Sequence, residues 1–106
     1  MTINILGQEY DIRETDAKKD THLADCDGYC DGYGKIVRIN NDYNENHPDS
    51  ISDFQSYKKR IMRHEIIHAF FEESGLKKYQ TDELIVEWIA NQFPKLEKIF
   101  KQAGAL

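Results

Sequence analysis

Residues 54 to 71 constrain the fold more than any other part of the chain. Phe54, Tyr57, Ile61, His64, His68 and Phe71 recur at spacings of three and four, and Met62, Ile66, Ala69 and Phe70 form a second apolar stripe. A helix that is apolar on two sides must be covered on two sides. It therefore has to sit centrally, between a sheet and other helices. Set within it is the run His64-Glu65-Ile66-Ile67-His68. Histidines four apart share a helix face, so both imidazoles can reach one metal ion. Glu65, between them, is placed to take a proton from a metal-bound water. A metal-free, hydrogen-bonded histidine pair is the competing account of the same spacing. The helical setting, a strand before the motif and an acid after it all weigh against that account.

The rest of the chain reads as strands first and helices after. Ile3-Asn4-Ile5-Leu6 and Tyr10-Asp11-Ile12 suggest two short strands around Gly7-Gln8. Glu14 to Thr21 is highly charged and reads as a loop, or at most a short helix. Asp25 to Gly34, with three glycines and three aspartates, reads as a turn region joining two strands. Lys35 to Asn40 alternates β-branched residues and is the clearest strand. Ser50 with Asp53 predicts the start of the long helix, and Gly75 its stop after Ser74. Thr81 is expected to cap a second helix running to about Phe93. Pro94 is expected to break it and open a last helix carrying Leu96, Ile99, Phe100 and Ala103. The expectation is one α+β domain over residues 1–106, with a small antiparallel sheet packed on the helical half.

A catalytic zinc site takes three protein ligands and keeps one position open for water. His64 and His68 supply two. Glu87 is the preferred third, because it lies in the apolar run Leu84 to Ala90, where a carboxylate needs a partner. Glu83 is the rival, although an acid in the first turn of a helix has a sufficient role there without binding metal. His22 and His47 fall in loop-like segments and read as surface histidines.

Composition excludes several other functions. The formal net charge is −5, with no basic stripe, which argues against a nucleic-acid partner. No apolar run has the length of a membrane span. Met1 to Ile5 lacks the features of a secretory signal, so the expected location is the cytoplasm, with Cys26 and Cys30 as reduced thiols. Asp25, Asp27, Gly28 and Asp31 hint at a calcium loop but lack the helix–loop–helix frame and the Glu at position twelve. The Cys26–Cys30 spacing is not C-x-x-C, and no second pair exists. The plainer reading of this stretch is a polar turn.

Arg63-His64-Glu65-Ile66-Ile67-His68-Ala69-Phe70, followed by Glu87-Trp88-Ile89-Ala90-Asn91-Gln92-Phe93, resembles the small metallopeptidase-like proteins of phages and mobile elements. These are related to the ImmA/IrrE-type zinc metallopeptidases. The resemblance implies a zincin-like fold, zinc ligands His64, His68 and Glu87, and Glu65 as general base. It implies hydrolysis of peptide bonds in a protein substrate such as a repressor. Such a substrate is expected to lie extended beside the strand Lys35 to Asn40. Tyr57, Tyr79 and His47 are the residues available to steady an oxyanion. The alternative function is a binding module that keeps the fold, and the zinc, without cutting. Zinc that serves only to stabilise the domain is a third possibility, and would fill all four positions with protein atoms.

Overall fold

The computed structural model describes residues 1–42 and 53–106. Four strands come first: β1 (Thr2–Ile5), β2 (Gln8–Thr15), β3 (Gly28–Asp31) and β4 (Ile36–Asn40). Two 20-residue helices follow, α1 (Phe54–Glu73) and α2 (Glu83–Gln102). The α+β architecture is as expected from the order of elements.

The sheet runs β1-β2-β4-β3. β1 pairs antiparallel with β2, and β3 with β4, but β2 and β4 run parallel. The sheet is therefore mixed, which corrects the antiparallel expectation. Residues 16–35 return the chain to its starting end before β4 begins. β4 is consequently an interior strand, paired on both sides, and leaves no room for an added strand there. The edge next to β4 belongs to β3, inside the segment expected to be a turn region.

Alternation explains why β4 is central. Val37 and Ile39 point into the core and are fully buried, and Tyr10 and Ile12 of β2 lie beside them. The β1–β2 hairpin turns at Leu6 and Gly7, with φ of 50° and 97°, the left-handed pair of a two-residue hairpin. β2 runs on to Thr15, further than the charged sequence suggested, because Glu14 and Thr15 continue the ladder with β4.

Helix α1 lies across the sheet and buries Ile61, Glu65, His68, Ala69 and Phe71. Its N-cap is Asp53, whose carboxylate accepts the Ser56 N–H at 3.1 Å. The predicted start at Ser50 lies outside the described residues. Gly75 stops the helix, at φ 85°. At the far end of α1, Glu73 accepts hydrogen bonds from the Tyr10 hydroxyl at 3.0 Å and the Lys35 ammonium at 2.5 Å, fastening the helix to the sheet.

Helix α2 is capped one residue later than predicted. Asp82, not Thr81, accepts the Ile85 N–H at 3.1 Å. The helix also passes through Pro94 without a break. A proline there leaves the carbonyl of Ala90 without its helical donor. Arg63 of α1 supplies the missing one, its Nε donating to Ala90 O at 2.8 Å. The interhelix contact thus replaces the lost hydrogen bond, so one continuous helix stands where two were expected. Among the described residues, no helix is long and apolar enough to cross a membrane.

Candidate metal centre

The motif histidines face α2 across a cleft of about 680 Å³. Its walls are α1 (Tyr57, Arg60, Ile61, His64, Glu65, His68), the start of α2 (Glu83, Glu87) and the chain from Cys26 to Cys30. The i, i+4 spacing on α1 is matched by an i, i+4 pair of acids on α2, one turn apart on one face. The two helices thereby set histidines against carboxylates.

Each imidazole is fixed by its Nδ1 partner. His68 Nδ1 hydrogen-bonds the Gln80 carbonyl, and His64 Nδ1 the Glu87 carboxylate at 2.6 Å. A carbonyl and an ionised carboxylate only accept, so both Nδ1 atoms carry the proton. In neutral rings both Nε2 atoms then present lone pairs, and they lie 3.2 Å apart. Glu83 sits across them, its Oε2 at 2.9 Å from His64 Nε2 and its Oε1 at 3.0 Å from His68 Nε2. Two lone pairs and a carboxylate converge with no hydrogen-bond donor among them. Such a cluster is stable only around a cation or an extra proton. Tetrahedral zinc with bonds of about 2.0–2.1 Å spaces its ligand atoms about 3.3–3.4 Å apart. The two Nε2 atoms, 3.2 Å apart, come close to that spacing, and ligand atoms of His64, His68 and Glu83 all lie within 4.8 Å of one another. His64, His68 and Glu83 are the group able to hold a metal ion among the described residues.

Glu65 is buried, and one of its oxygens lies 4.0 Å from His64 Nε2. Burial pushes its carboxyl up to about 7, against the pull of His64 and helped by Glu83 and Glu87. A dry carboxyl of that kind is suited to taking and returning a proton.

The structure brings four sequence-selected residues together: His64, Glu65, His68 and Glu83. Glu87 lies beside them, on the opposite ring nitrogen of His64. Its apolar neighbourhood does not bury it, since Leu84 and Trp88 are exposed and its side chain is 37% exposed. Its charge is met instead by Arg60, which the sequence reading overlooked. An Arg one turn before the first histidine was the available signal. Tyr57 lines the cleft and donates its hydroxyl to Asp27. Tyr79 packs near Phe71, its ring 6.1 Å away. His22 is exposed and pairs with Asp20 at 3.1 Å. His47 lies outside the described residues. Asp31 is occupied in capping its own turn, accepting from Tyr33 and Gly34 N–H at 2.9 Å each.

The two cysteines are free thiols in different settings. Cys26 is exposed, whereas burial pushes the Cys30 thiol up to about 12. Reactivity follows the thiolate and its access. Titration of native protein with a thiol reagent at pH 8 should therefore modify Cys26 first, with Cys30 reacting at least tenfold more slowly until the protein is unfolded. Equal rates would show that β3 does not shield Cys30.

Compared with protein-family models, with curated proteins and with solved structures, the chain finds no match.

Proposed function

We propose that this protein is a zinc-dependent peptidase of zincin-like type, with His64, His68 and Glu83 as ligands and Glu65 as the general base. The observation that carries the reading is the convergence of two Nε2 lone pairs and a carboxylate, each ring held by an acceptor on Nδ1. His64, His68 and Glu83 also line the open cleft, so a metal held by them would have a fourth position within reach of water, as catalysis requires and a purely structural zinc does not. Zinc bound there would supply an acidified water and a Lewis acid for the scissile carbonyl. Glu65 would accept the water's proton and hand it to the departing amine.

The open edge of β3 offers the substrate a place to bind. Asn40 N–H donates to Asp27 O at 2.8 Å, which, with the register, puts Gly28 opposite Ile39 in a non-hydrogen-bonded pair. The N–H and C=O groups of Gly28 and Cys30 consequently turn away from β4. An extended peptide adding to this edge would run along the wall that carries Gly28, next to Glu65. On this reading the substrate, a protein such as a repressor, would lie at β3 rather than beside β4.

Metal content tests the reading. Protein loaded with zinc and dialysed should retain about one zinc per chain by atomic absorption. His64→Ala and His68→Ala should retain almost none. A wild-type chain that holds no zinc would sink the proposal and leave the histidines as a structural pair.

A further inference from the structure

We infer that Glu87 acts as the carboxylate that sets His64 rather than as a metal ligand, and that Arg60 and Asn91 are positioning residues that hold it in place. The inference rests on the metal-site reading above and assigns roles to three residues around it.

The two helices meet as a pair of ladders. Arg60, His64 and His68 stand four apart on α1, and Glu83, Glu87 and Asn91 stand four apart on α2. The ladders run in opposite directions. Arg60 meets Glu87, His64 meets both Glu87 and Glu83, and His68 meets Glu83. Glu83 therefore falls at the rung where both Nε2 atoms converge, and Glu87 falls one turn further, beside Nδ1 of His64.

Both oxygens of Glu87 are already engaged. Oε2 accepts from His64 Nδ1 at 2.6 Å. Oε1 accepts from Arg60 Nη1, and from Asn91 Nδ2 at 3.1 Å. Three donors from two helices thus fix one carboxylate. The two nitrogens of an imidazole point to different sides of the ring, so a carboxylate seated on Nδ1 faces away from an ion held at Nε2. To ligate that ion, Glu87 would have to give up all three donors, while Glu83 already stands in place.

This arrangement has a recognisable chemical purpose. A carboxylate on the distal N–H fixes the tautomer, aims the ring and raises its basicity as a ligand. Losing such a partner typically costs about 10–100-fold in metal affinity. Arg60 sets an opposite charge against Glu87, and its fork supplies direction that a lysine would not. Asn91 fixes the other side of the same oxygen.

The test is a zinc titration of the full chain against a competing chelator, combined with the visible absorption of cobalt(II) at the site. Glu87→Gln and Arg60→Met should each weaken zinc about 10–100-fold while keeping the wild-type cobalt spectrum, because the three ligands are unchanged. Arg60→Lys should recover part of the loss. Glu83→Gln should alter the cobalt spectrum itself. In metal-free protein, nitrogen NMR should show His64 as the Nδ1–H tautomer in the wild type and as a mixture in Glu87→Gln, a change that a merely structural role would not produce. Circular dichroism establishes that each variant is folded. The inference is overturned if Glu87→Gln changes the cobalt spectrum while Glu83→Gln preserves it, since Glu87 would then be the ligand. It is also overturned if Glu87→Gln and Arg60→Met bind zinc as tightly as the wild type. A wild-type chain that takes up neither metal overturns the underlying site reading, and that outcome is distinct from the other two.

Discussion

Glu65→Gln is expected to slow peptide cleavage by about 10²–10⁴-fold and to leave zinc content at the wild-type level. The side chain keeps its shape and its burial but loses the ability to accept a proton. It stands outside the proposed ligand set, 4.0 Å from His64 Nε2, so bound metal should stay. A second reason favours retention. Burial holds the Glu65 carboxyl up at about 7, so the charged form is disfavoured where it sits, and a neutral amide costs no charge there. The measurement is cleavage of an unfolded protein probe, with fragments identified by mass spectrometry, run beside zinc analysis of the same samples. Equal cleavage by Glu65→Gln and wild type would sink the assigned role. A wild type that binds zinc and cuts no probe would favour the binding-module alternative. Loss of zinc together with loss of cleavage would mean that Glu65 supports the metal rather than the proton transfer.

The histidine pair was legible because its information is local. Spacing on one helix fixes which side chains share a face, and no distant contact is needed to see it. The strand at β4 was legible for the same reason, through Ile36, Val37 and Ile39. Other features depended on contacts that spacing does not carry. β3 lacks β-branched residues, and Gly28, Cys30 and Asp31 read as turn chemistry, yet pairing with β4 makes the segment a strand. The parallel match of β2 to β4 depends on how residues 16–35 cross back, which no periodicity records. Pro94 reads as a helix breaker because the sequence does not show Arg63 reaching Ala90. The choice between Glu83 and Glu87 is of the same kind. Both share a face of α2, and only the height at which α2 meets α1 decides which one stands opposite the Nε2 atoms.

Gly28→Ala is expected to destabilise the protein by about 1–3 kcal/mol and to disturb the cleft at the same time. A Cβ at this position would meet Ile61 Cγ2 at 2.9 Å, the Arg38 carbonyl at 3.0 Å and Glu65 Cγ at 3.2 Å. The Ile61 methyl is held in the core cluster, and the Arg38 carbonyl is backbone of the neighbouring strand, so neither yields easily. The remaining outlet is for β3 to move off α1, which widens the wall that Glu65 packs against. Gly28 is thus the point where the edge strand comes close enough to α1 to enclose the Glu65 carboxylate. Each kcal/mol lost should lower the melting temperature by about 4–8 °C for a domain near this size. Ile61→Ala opens a cavity and destabilises by itself, but it also clears the closest contact. The double variant should therefore be more stable than the two single losses predict when added, with a coupling of about 0.5–3 kcal/mol. Thermal unfolding of the four proteins in one buffer measures this directly. Strict additivity would mean that the added methyl is accommodated without pressing on Ile61, and that β3 is not packed against α1 as tightly as these distances require.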